Sequence, residues 1–229
     1  MKYNSSLVSA ASGSTGGLTA STNRGGAYFR KRVVPTNPNT TKQQVVRSAM
    51  SLLSGKWNNV LTAAQRAAWD TYALNVPLPD TLGAPRNVGG LGMYIRSNVP
   101  RINAGLAQVT DAPTVFDIGE YTPPVVGVID ASASTLSLAF TNGDAWASEV
   151  GASMLVQVSR GNNPSINFFK GPYRFAGKID GAASPPTSPQ VLTVPFTVAT
   201  GQRVFVEVKV TRADGRLSAT FRGNGLVTP

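Results

Sequence analysis

Val204-Phe205-Val206-Glu207-Val208-Lys209-Val210 places a valine at every second position. Side chains of a strand alternate between two faces, so this row marks a strand with one valine face in a core. The same period of two recurs upstream at Leu136, Leu138 and Phe140, and at Met154, Val156 and Val158. Weaker alternation runs over Val125–Asp130, Tyr173–Ile179, Val191–Val198 and Leu217–Phe221. Asp214-Gly215, between the last two strands, predicts a two-residue type I′ hairpin turn. Short strands separated by turn residues predict an antiparallel β-sandwich over residues 124–229.

The chain has no Cys, which argues against a disulfide-bearing immunoglobulin domain. The predicted sandwich is instead similar to a fibronectin type III module, within the broader immunoglobulin-like class. The fold class expected for the whole chain is α+β: an extended N-terminal arm, a small helical hairpin region and the C-terminal sandwich. The boundaries read as 1–39 for the arm, 40–112 for the helices and a Pro/Gly-rich loop, 113–123 for a connector, and 124–229 for the sandwich.

Two capping boxes announce the helices. Thr40 with Gln43, or Thr41 with Gln44, opens the first, and Thr62 with Gln65 the second. Val46, Ala49, Met50 and Leu53 follow at helical spacing, with Gly55 suited to the exit. Trp69, Tyr72, Ala73 and Val76 form the second stripe, and Pro77 ends it. A short link holding Trp57 and Leu61 predicts an antiparallel pair. Leu91, Tyr94 and Ile95 suggest a third helix, broken at Pro100.

Charge is segregated along the chain. Nine Lys and Arg precede the first acidic residue, Asp70, whereas from Asp70 onward twelve cations face eleven carboxylates. A nearly neutral body therefore carries a cationic leading segment, which calls for an acidic partner surface. Ser9–Thr22 is rich in Gly, Ser, Thr and Ala and is expected to be disordered alone. Tyr28-Phe29-Arg30-Lys31-Arg32-Val33-Val34 combines rings, cations and β-branched residues, and reads as a strand that pairs with another chain's sheet edge.

The candidate partner-binding residues are Arg24, Tyr28, Phe29, Arg30, Lys31, Arg32, Arg47, Trp57, Arg66 and Trp69. Trp57 and Trp69 also suit a helical core. Nucleic acid is the second candidate partner for the basic segment, since cations contact phosphate and aromatics stack on bases.

Without His or Cys, the commonest general base, thiol nucleophile and transition-metal ligands are missing. Gly13-Ser14-Thr15-Gly16-Gly17 lacks the Gly-Lys-Ser/Thr of a phosphate loop. The eleven carboxylates are scattered. No catalytic, cofactor or metal site is expected. No apolar run approaches the ~20 residues of a membrane span, and Met1–Val8 has no apolar stretch of the kind an export signal carries.

One resemblance covers roughly Arg24 to Pro113. Arg24-Gly25-Gly26-Ala27-Tyr28-Phe29-Arg30, Pro35-Thr36-Asn37-Pro38-Asn39-Thr40 with Gln43, and Leu61-Thr62-Ala63-Ala64-Gln65-Arg66-Ala67-Ala68-Trp69 resemble a group of small virion-associated proteins of tailed phages and prophages. The resemblance implies a structural role in the virion, as a capsid decoration or minor capsid protein or in the neck or tail. Other virion proteins with acidic surface would be its partners, homo-oligomers would form, and no membrane would be involved.

Overall fold

The computed structural model describes residues 11–23, 26–79 and 83–229. Among them the chain is α+β, with three helices and a seven-stranded, mostly antiparallel sheet curled nearly into a barrel. It divides into two compact units, Met1–Gln44 and Val45–Pro229.

The first unit holds a three-stranded antiparallel meander of β1 (Gly13–Thr15), β2 (Leu18–Asn23) and β3 (Gly26–Lys31). Gly16 and Gly17 both have positive φ, +56° and +83°, and link Thr15 to its partner Leu18. Two successive left-handed residues make a type I′ turn, which only such residues form without strain. The stretch expected to be disordered therefore contains a hairpin, closed by its glycine pair and not by apolar burial. Ser14 and Thr19 hydroxyls meet across it at 2.7 Å. The strand expected to add to another chain pairs within its own, with Phe29 opposite Ala20 and Arg30 opposite Thr19. Residues 33–40 are exposed and irregular.

α1 (Thr41–Asn59) begins with the Thr40–Gln43 box: Gln43 N–H donates to Thr40 Oγ1 and Thr40 N–H to Gln43 Oε1. It does not end at Gly55. Its last turn is capped by Arg66, whose Nη1 donates to Trp57 O at 3.2 Å and Asn58 O at 3.4 Å. α2 (Ala63–Asn75) opens with the complete Thr62–Gln65 box. The short β4 (Leu78–Pro79) and β5 (Pro85–Arg86) precede α3 (Gly89–Asn103).

The closely packed helix pair is α2 with α3, in place of the expected α1–α2 hairpin. Gly90 explains the closeness, because a Cβ there would stand 2.4 Å from Asp70 Oδ1 and 2.7 Å from its backbone nitrogen. Leu53, Leu61, Trp69, Tyr72, Met93 and Tyr94 fill the helical core. Tyr72 donates to Asp117 O at 2.7 Å, and burial pushes its phenol up to about 12, so it stays a donor at neutral pH. Pro100 lies inside α3 and does not break it. Tertiary bonds outweigh its poor propensity: the buried Arg101 donates to Ala107 O at 2.7 Å, Arg212 O at 2.8 Å and Thr211 Oγ1 at 3.2 Å.

The sheet comprises β6 (Val125–Asp130), β7 (Thr135–Ala139), β8 (Ser153–Val158), β9 (Arg174–Asp180), β10 (Gln190–Thr193), β11 (Arg203–Thr211) and β12 (Phe221–Thr228). Their order is β10-β7-β6-β12-β11-β8-β9. Every pairing is antiparallel except β6 with β12, which meet in parallel at Ile129–Val227 and Asp130–Thr228. At the far ends Leu192 of β10 comes within 3.1 Å of where a Cβ on Gly177 of β9 would stand. Val204, Val206, Val208 and Val210 are fully buried with Leu136, Leu138, Met154, Val156 and Val158. The turn after β11 has three residues, not two. Gly215 N–H bonds to Arg212 O, Arg212 N–H to Arg216 O, and Gly215 takes φ +93°. That is a type I turn closed by a left-handed glycine.

α1 from Val45 onward, α2, α3 and the seven-stranded sheet belong to one compact unit. The segment expected to be a mere connector fastens them through Asp117: its carbonyl accepts from Tyr72 of α2 at 2.7 Å, and its carboxylate pairs with Arg216 on the sheet side at 2.6 Å.

Candidate assembly interface

β3 is the last strand of its three-stranded sheet, joined to β2 along one side. Alternation places Tyr28 and Arg30 on one face, opposite Ser21 and Thr19, and Phe29 and Lys31 on the other, opposite Ala20 and Leu18. Tyr28 and Phe29 are half-buried, while Arg30, Lys31 and Arg32 are exposed. An edge strand is a template for another chain's strand. Here its cations would select an acidic one, since no carboxylate occurs before Asp70. Arg24, named with these residues, lies outside the described residues.

The remaining candidates serve the second unit. Arg47 is exposed on α1. Trp69 is fully buried, edge-on to Tyr94 with ring centroids 5.5 Å apart. Trp57 is half-buried, 5.7 Å from the same ring. Arg66 caps α1. The structure thus engages Trp57, Arg66 and Trp69 inside the helical layer, where their rings and donors support the fold.

Among the described residues five carboxylates of the second unit are engaged in ion pairs. Arg216 bridges Asp117 and Asp214 at 2.6 and 2.7 Å, Arg212 holds Glu149, and Lys178 holds Asp180. Burial raises the pKa of Glu207, but Lys209 at 2.8 Å and Arg222 at 3.1 Å outweigh it and hold the carboxyl below its ordinary value. A depressed carboxyl stabilises the fold above the unfolded value of 4.5 and loses that contribution as pH falls through the folded value. Urea denaturation of Glu207→Gln should therefore show less loss of stability between pH 6 and pH 3 than the parent. An identical pH slope would contradict this role.

Among the described residues no cluster of three or more acids could hold a metal ion, and no helix is long and apolar enough to cross a membrane. Two features escape a reading of the sequence. Phe168 is 73% exposed beside Phe169, which stacks on Phe205 at 5.5 Å. Arg96 lies partly buried between helix and sheet, without a carboxylate partner among the described residues. Neither shows in local pattern, because both depend on which distant elements meet. Neither a protein-family model nor a curated protein matches the chain.

Proposed function

We propose that this chain is a non-catalytic structural component of a tailed-phage particle, a capsid decoration or minor capsid protein, joined to its neighbours through the N-terminal unit. The observation that carries the reading is β3: an edge strand with Tyr28 and Arg30 on one face, set in a segment whose nine cations have no acid among them. An acidic edge or loop of another virion protein complements it in hydrogen bonding and in charge. The resemblance of Arg24–Pro113 to phage virion-associated proteins supports the setting and leaves head, neck and tail open as locations. Attachment by a small, separately compact unit suits assembly in many copies, where repeated weak contacts sum.

The sheet is proposed to be a fibronectin type III-like sandwich. Its strand order supports this: β10-β7-β6 forms one antiparallel set and β12-β11-β8-β9 the other, with the short parallel pairing of β6 and β12 between them. Such a module would project from the particle surface.

The test is incorporation. A chain lacking residues 1–32 should keep the circular dichroism and melting transition of the second unit and be missing from purified particles. Normal incorporation would overturn the reading. The alternation of Tyr28 and Arg30 also suits single-stranded nucleic acid. That alternative requires tight binding of an oligonucleotide at physiological salt, with a log–log salt slope near −0.7 per phosphate contacted.

A further inference from the structure

Within Val45–Pro229, α1, α3 and the segment leading into β12 enclose a groove of about 620 Å³. Met50, Leu78, Ile95, Val99, Ile118 and Leu217 give it an aliphatic wall. Its two cations are Lys209 and Arg96, and none of its lining residues is acidic. Lys209 already pairs with Glu207 at 2.8 Å. Arg96 has no carboxylate partner among the described residues: Nη2 donates to Leu217 O at 2.7 Å and Ser218 O at 3.3 Å, while Nη1 is buried with no hydrogen-bond partner. Burial lowers its pKa, the expected result of withdrawing a guanidinium from water without a counter-charge. With Nη2 taken by two carbonyls, a cation left so is satisfied best by a carboxylate oxygen accepting from Nη1, which supplies the hydrogen bond and the counter-charge together.

The apolar surface continues beyond the groove. Val46 and Met50 stand one helical turn apart on α1 and are 49% and 41% exposed. An aliphatic groove with one uncompensated cation fits an occupant that is itself aliphatic and acidic. We infer that this groove docks an aliphatic, acidic peptide segment of another protein, with an Asp or Glu carboxylate on Arg96 and Leu- or Ile-like side chains against Met50, Val99 and Ile118. The inference does not depend on attachment through residues 1–32.

Random dodecapeptides displayed on a carrier and panned against the full chain provide the test, followed by fluorescence anisotropy with the synthetic peptide most enriched. Enriched sequences should carry Asp or Glu flanked by aliphatic residues. Replacing that acid by its amide should weaken binding about tenfold or more. Met50→Glu, at an exposed position that leaves the core intact, should do the same, as should Arg96→Gln. Melting curves of both variants separate lost binding from lost fold. No enrichment over an unrelated protein, enriched peptides without a carboxylate, or binding unchanged in Met50→Glu would each overturn the inference. So would a concentration-dependent dimer abolished by Met50→Glu, which would make a second copy of the chain the occupant.

Discussion

A chain carrying Arg30→Glu, Lys31→Glu and Arg32→Glu is expected to fold like its parent and to be lost from assembled particles. All three side chains are exposed, so reversing them disturbs no core. Exposed substitutions of this kind usually change stability by less than about 0.5 kcal/mol each. Against an acidic neighbour the reversal turns attraction into like-charge repulsion, which costs several kcal/mol. Each 1.4 kcal/mol is about a factor of ten in affinity, so a loss of at least about a hundredfold is expected. Densitometry of purified particles, with the second unit's melting curve as control, measures it. Occupancy within twofold of the parent would remove the cationic strand from the attachment.

Trp69→Ala is expected to be the most destabilising single truncation in the helical layer. The ring is fully buried, edge-on to Tyr72 at 6.0 Å and to Tyr94 at 5.5 Å, and its N–H bonds Thr110 O. Emptying such a site costs about 3–5 kcal/mol, and Thr110 O loses its donor as well. Domains of this size are stable by about 5–15 kcal/mol in total, so the melting temperature should drop by about 10 °C. Trp57→Ala, at a half-buried ring, should cost clearly less. Equal losses for the two tryptophans, read by urea denaturation, would contradict the packing described.

The β-rich half is legible in the sequence wherever one strand face is aliphatic, as in Val204–Val210 and Met154–Val158. β12 is not, and the reason is geometric. Its inward positions Gly223 and Gly225 sit where a Cβ would come within 3.0 Å of Val126 and Ile129 side chains. Close approach to β6 favours glycine there, which erases the alternation that announces a strand. The meander of the first unit is hidden for a related reason: Gly16 and Gly17 serve the turn through backbone conformation, which composition alone reads as a linker. Pro100 misleads because local propensity cannot foresee Arg101 reaching Thr211, 110 positions further along.

For the candidate interface, charge segregation is plain in the sequence, since it needs only the order of residues. The roles of Arg66, Trp57 and Trp69 are less visible. Rings and arginines suit an interface and a core equally, and only packing assigns them to the helical layer. Arg96 cannot be singled out at all from its neighbours in the chain. Its significance lies in the carboxylate that none of the described elements brings to it.

The most direct measurement is a cryo-EM reconstruction of the assembled particle at side-chain resolution. The proposed attachment predicts β3 lying against a neighbouring subunit, with acidic side chains facing Arg30, Lys31 and Arg32. Density that places this strand and its three cations in solvent, away from every other subunit, would contradict it.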